Sequence, residues 1–198
     1  MLLIDVISSL GRFLEYKITG QSDYRLTIPF AGTRTVNTAL EGRLQLDEVR
    51  QILWQEFQLK TRWPLLLEVK TPPPAGWKAG FYHSEGNLGR YELQILGSEK
   101  SHQIAVRPNL PNQVFRAILA HEMTHAYQTE HDLLKSNQAV REGMARWVEY
   151  HFLKKEHPKA AAKLLDMKHF TFGKAVNTIV SYEQEHGRKN TLEWLRTL

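Results

Sequence analysis

Residues 108–128 read PNLPNQVFRAILAHEMTHAYQ, and the character of the chain changes inside them. After Pro108 and Pro111, apolar residues recur at helical intervals: Val114, Ile118, Ala126 and Tyr127, with Leu119 and Met123 beside them. A helix of core character is predicted here. Embedded in it is His121-Glu122-Met123-Thr124-His125. Positions four apart on a helix lie one turn above each other, with Cβ atoms ~5–6 Å apart. Two imidazoles at that spacing can reach one ion at Zn–N distances of ~2.0–2.1 Å. Glu122 is displaced around the helix, close to the ion without having to bind it, where a base that takes a proton from metal-activated water should sit. Scrambling this composition yields the H-E-x-x-H pattern in about 3% of sequences, and chance would not favour an apolar helix. The rival reading, accidental surface histidines, does not explain that setting, because such groups are costly to bury without a partner.

A tetrahedral catalytic zinc needs a third protein ligand and an open position. Position 131 is a histidine, as in the H-E-x-x-H-x-x-G-x-x-H pattern, but Gln128 stands where that pattern has glycine. Glu142 is the better candidate. It lies on a predicted helix over about 138–155, after a connector with Asp132 and Asn137, and off the stripe of Val140, Met144, Trp147, Val148 and Phe152. Its neighbour Gly143 would let that helix approach closely. The alternative is that Glu142 simply pairs with Arg146, one turn on.

Outward from this stretch, the first half of the chain has strand character. A helix is expected over 2–14 and a short strand at Asp23 to Phe30, with 31–45 ambiguous. Asp47 can cap a helix carrying Val49, Ile52, Leu53 and Phe57 on one face. Residues 63–70 (WPLLLEVK) read as a buried strand, and TPPPAGWKAG as irregular. Strands are expected at 90–96 and 102–107, with GSEKS as a hairpin connection. The 102–107 strand could pair with an extended peptide if its edge is exposed, or be an ordinary internal strand. Toward the C-terminus, helices fit 159–166 and 173–186, Gly187 is a natural C-cap, and Asn190 with Glu193 resembles a capping pair. Strands first and helices later make an α+β arrangement. The chain is read as a single domain over 1–198, with a sheet-containing half (1–110) and a helical half carrying the metal site (111–198).

HEMTHAYQ followed by REGMARWVE resembles the HExxH…ExGxA-type signature of gluzincin zinc metallopeptidases, from His121 to Glu149. PLLLEVK, NLPNQVFRAILAHEMTHA and HGRKNTLEWLR more closely resemble the peptidase domain of plant LIM-domain, ubiquitin-linked growth-regulating proteins. The resemblance implies a zincin-like domain. It makes His121, His125 and Glu142 ligands of Zn2+ and Glu122 the general base of a hydrolase that cuts a peptide or protein substrate. Many gluzincins place a tyrosine or histidine donor from the C-terminal region over the scissile carbonyl. A tyrosine at the expected place would fall near Phe170, which has no hydroxyl, leaving Tyr182, Tyr150, His169 and His186 as candidates. Glu149 could orient a ligand from behind or be a surface carboxylate. Trp63, Trp77, Trp147 and Trp194 read as packing residues.

The 198 residues are 42% hydrophobic and 24% charged, an ordinary globular balance. The absence of cysteine excludes disulfides, Cys-ligated zinc, a Cys nucleophile and any LIM module. No apolar run approaches the ~18 residues of a membrane span. The first residues lack a basic leader and a cleavage site, so a cytoplasmic location is expected, with no membrane partner. Of the net charge of +5, +4 falls in residues 151–198. A solvated helix face explains this better than a nucleic-acid surface. Two rival functions remain: a zinc-stabilised binding protein that cleaves nothing, and a DNA-associated protease of the SprT-like kind, which normally adds a third histidine and often a Cys-rich ribbon. The sequence carries no signal for oligomeric state.

Overall fold

A computed structural model describes residues 34–70, 88–133, 137–166 and 171–198. The readings for 2–14, Asp23 to Phe30, the TPPPAGWKAG stretch with Trp77, and His169 lie outside the described residues. The architecture is α+β, a small sheet followed by a mostly helical C-terminal half.

A two-residue strand, β1 (Thr35–Val36), precedes helix α1 (Ala39–Phe57). The helix begins two turns before Asp47, because Thr38 and Glu41 form a capping box. The Thr38 hydroxyl accepts from the Glu41 backbone N–H at 3.2 Å, and the Glu41 carboxylate accepts from the Thr38 N–H at 3.1 Å. The apolar stripe hid this start: Leu46, Val49, Leu53 and Phe57 are buried, whereas Leu40 and Leu44 in the first turns face solvent. Gln58 ends the helix in the left-handed conformation, its N–H turned back onto α1 carbonyls.

Strands β2 (Leu65–Val69), β3 (Gly89–Leu96) and β4 (Glu99–Val106) form one sheet in the order β2-β4-β3. β2 runs parallel to β4, pairing Leu65 with His102 and Val69 with Val106. β3 and β4 form a hairpin, pairing Gly89 with Val106 and Leu96 with Glu99. The connection is shorter than GSEKS. Gly97 adopts φ +61, which allows a tight two-residue turn, and residues 99–101 join the strand. The 102–107 segment is therefore the central strand with both edges paired, and the peptide-pairing expectation fails there. A short β5 (Leu110–Pro111) pairs with β1 and sets the entry to the next helix.

That helix, α2 (Asn112–Glu130), is buried from Val114 to Gln128 apart from Arg116. It packs against α1, the sheet and α3 (Gln138–Glu156). A helix buried nearly all round is a core element. Asn137 caps α3, its side chain accepting from the Ala139 N–H at 2.7 Å. α4 (Pro158–Asp166) and α5 (Thr171–Thr197) complete the chain. Gly143 does permit a close approach, but to α5: a Cβ there would lie 2.7 Å from the Ala175 Cβ. α5 is broken at Gly187 (φ 79, ψ 160), where a cap was expected. Asn190 is no cap; its side chain donates to the His186 carbonyl across the break, at 2.8 Å. Among the described residues no helix is long and apolar enough to cross a membrane.

Candidate metal centre

His121, His125 and Glu142 come together. One ligand atom from each lies within 4.8 Å of the others. The two Nε2 atoms are 3.2 Å apart, and the Glu142 carboxylate oxygens lie 3.5 Å from His125 Nε2 and 3.7 Å from His121 Nε2. All three residues are buried on the contact between α2 and α3. The alternative reading of Glu142, as a partner of Arg146 alone, does not account for a carboxylate turned toward both imidazoles.

The rings are fixed from behind. His121 Nδ1 meets the Glu149 carboxylate at 3.0 Å, and His125 Nδ1 meets Gln128 Oε1 at 2.9 Å. The Gln128 Nε2 donates to the Arg141 carbonyl at 2.9 Å, which orients its amide so that the oxygen faces His125. Both acceptors place the imidazole proton on Nδ1 and leave the lone pair on Nε2. Two lone pairs and a carboxylate therefore converge on one buried point, a donor set that fits a divalent cation.

The electrostatics agree. Burial alone would push His121 toward its neutral form, but the bond to Glu149 and the charges of Glu149, Glu122 and Glu142 outweigh it and raise its pKa. Surroundings that favour a proton on a buried ring also favour a metal ion. His125 is driven the other way, to about 4, chiefly by burial, with Glu142 acting against and His121 reinforcing. It is held as the neutral base that a metal requires.

Glu122 is buried beside the cluster, beneath the start of β3. A Cβ on Gly89 would lie 2.7 Å from Glu122 Oε1 and 2.5 Å from Ile118 Cγ2. Only a glycine lets the strand pass this close to the carboxylate. Glu149, read as either a surface group or a support, is fully buried and supports His121.

Tyr182 stacks on Trp194 and leans on His186, and Tyr150 contacts His151 and Lys154. The tyrosine that does approach is Tyr91 of β3, whose ring lies 6.5 Å from that of His125 and whose hydroxyl meets His102 Nδ1 at 3.2 Å. His102 is itself tied to Glu130 at 2.7 Å and stacked under Trp63. Spacing could not reveal Tyr91 or Gly89, because their proximity comes from the hairpin crossing α2. Gln128 carried a faint signal: it occupies the third position after His125, one helical turn away. Trp147 and Trp194 pack, as expected. Comparisons with family models, curated proteins and solved structures find no match for this chain.

Proposed function

We propose that this chain is a zinc-dependent peptidase of the gluzincin type with a zincin-like fold. The observation that carries the reading is the convergence of His121, His125 and Glu142 with both Nδ1 atoms already committed. Zinc held there would lower the pKa of a water from ~15.7 toward ~7 and polarise a substrate carbonyl. The chain's own residues do the rest. Glu122, beside the ligands, takes the proton of the attacking water and returns it to the leaving amine. Glu149 and Gln128 keep the imidazoles in the tautomer and orientation that bind metal. An extended substrate would lie along β3, whose edge away from β4 has no strand partner among the described residues. Tyr91, on that strand, brings its ring to 6.5 Å from that of His125, with its hydroxyl on His102.

The test pairs metal analysis with a peptide-library digest. Glu122→Gln is expected to keep zinc and lose turnover by a factor of about 10²–10⁴. Undiminished cleavage by this variant removes Glu122 from the mechanism. The rival reading is a metal-stabilised binding protein. It predicts metal-dependent capture of a partner and no cleavage by the wild type.

A further inference from the structure

Arg141 stands beside the candidate metal centre, and its side chain takes part in none of the contacts described there. It precedes Glu142 on α3. Its carbonyl accepts from Gln128 Nε2 at 2.9 Å, and the oxygen of the same amide lies 2.9 Å from His125 Nδ1. Its backbone is thus joined to a candidate ligand ring through one intervening side chain. The residue is partly buried, and its Nε is buried with no hydrogen-bond partner. Arg34, Arg62, Arg90, Arg116 and Arg188 each meet a carboxylate. Arg141 makes no ion pair among the described residues.

Its charge nevertheless reaches the centre. Burial drives His125 toward its neutral form, and Arg141 adds to that push. Burial also raises the pKa of the Tyr91 hydroxyl, with Thr129 and Arg141 acting against it. Beyond about 10 Å such a field is largely screened, so the guanidinium lies near both rings. Two elements flank His125: β3 with Tyr91, whose ring is 6.5 Å from it, and α3 with Arg141. A counter-charge for the carboxylates of the centre is the plain explanation of an arginine here. It would set the guanidinium against one of them, as Arg62 is set against Glu130 at 3.6 Å. A solvated surface arginine is the other plain explanation, and it does not bury an N–H that nothing accepts from. Such a group costs free energy until an acceptor arrives.

The geometry points to Arg141 as a specificity-determining residue, whose guanidinium binds a carboxylate of the substrate. Its planar fork of N–H donors matches a carboxylate through two parallel bonds. In a peptide that group is an aspartate or glutamate side chain or the C-terminal carboxylate. The assignment rests on the peptidase reading and adds a substrate class to it: peptides with an acidic group near the cleaved bond.

The test uses fluorescent decapeptides in matched sets, with glutamate, glutamine or lysine at each position in turn and a free or amidated C-terminus. Zinc-loaded wild type is assayed for cleavage. Zinc-loaded Glu122→Gln is assayed for binding by anisotropy. In at least one set the acidic member is expected to show kcat/KM and affinity about 10–100-fold above its neutral partner. In both backgrounds Arg141→Gln should bring that ratio to about one, with zinc content unchanged. Arg141→Glu should move the preference to lysine at the same position. A folding defect would lower both members alike and leave the ratio standing. A ratio in a glutamate set identifies a side chain as the source, and one in the free and amidated pair identifies the C-terminus. Discrimination in binding without cleavage by wild type keeps Arg141 as a carboxylate site and removes the peptidase reading. Cleavage without discrimination, or a ratio that Arg141→Gln leaves unchanged, overturns the role of Arg141 and leaves the peptidase reading standing. Neither cleavage nor discrimination overturns both.

Discussion

Gln128 is a glutamine that belongs to the candidate metal site through its bond to His125 and is not itself one of the three converging groups. Its oxygen accepts a hydrogen bond from His125 Nδ1–H, and its amide N–H donates to the Arg141 carbonyl. Glu149 does the same for His121 with a full charge. Removing such supports typically lowers metal affinity about 10–100-fold. Gln128→Leu and Glu149→Gln are therefore expected to bind zinc more weakly by that factor while remaining folded, as measured by competition with a chromophoric chelator. Unchanged zinc affinity in both variants would mean that the Nδ1 contacts do not tune the ligands. The two candidate histidine ligands were legible because a helix converts a spacing of four into a shared face. Glu142 was legible from its position off the apolar stripe. Gln128 was read only as a departure from a longer histidine pattern. The hydrogen bond that gives it a purpose requires Arg141, on a helix whose placement no local spacing encodes.

At the scale of elements, Gly187 sets the course of α5. Its φ of 79 and ψ of 160 belong to a region that is essentially restricted to glycine, and a Cβ there would meet nothing within 4 Å. Gly187→Ala is thus a pure backbone test. It is expected to cost about 1–3 kcal/mol in urea denaturation, with the slope on denaturant unchanged. A loss below a few tenths would show that the helix can run straight through. Gly187 was readable as the stop between two helices, and the kink bears this out; what the sequence did not show is that the Asn190 and Thr191 side chains donate back to the His186 and Gly187 carbonyls. α1 was misread at its start. Its first turns are exposed, so the capping pair Thr38 and Glu41 marks the start better than hydrophobic spacing does. The central place of β4 follows from a parallel pairing with β2, a long-range choice that alternation within 102–107 cannot express.

Across the whole molecule, one polar network binds the helices behind the site. The Glu183 carboxylate accepts from Trp147 Nε1, His151 Nε2 and Arg188 Nε at 2.9, 2.7 and 2.9 Å, and Arg188 continues to Glu56 of α1. Burial opposes the Glu183 charge, but the bonds from His151, Arg188 and Trp147 outweigh it and hold the pKa at about 2, below an ordinary 4.5. A depressed carboxylate adds stability that is fully present above the unfolded pKa and is lost as pH falls through the folded one. That contribution is about 3 kcal/mol near neutral pH. The stability advantage of wild type over Glu183→Gln should hold down to about pH 4.5 and fade toward about pH 2, read from denaturant titrations across that range. A pH-independent difference would assign the network to shape and not to charge.

The three-ligand cluster underlies all of this, and a zinc K-edge absorption spectrum of metal-loaded protein tests it most directly. Wild type should bind one zinc per chain with two imidazole nitrogens and at least one carboxylate oxygen at ~2.0–2.2 Å, and Glu142→Ala should lose affinity and that oxygen. Zinc bound outside the two imidazoles, or a spectrum and affinity that Glu142→Ala leaves unchanged, would contradict the account.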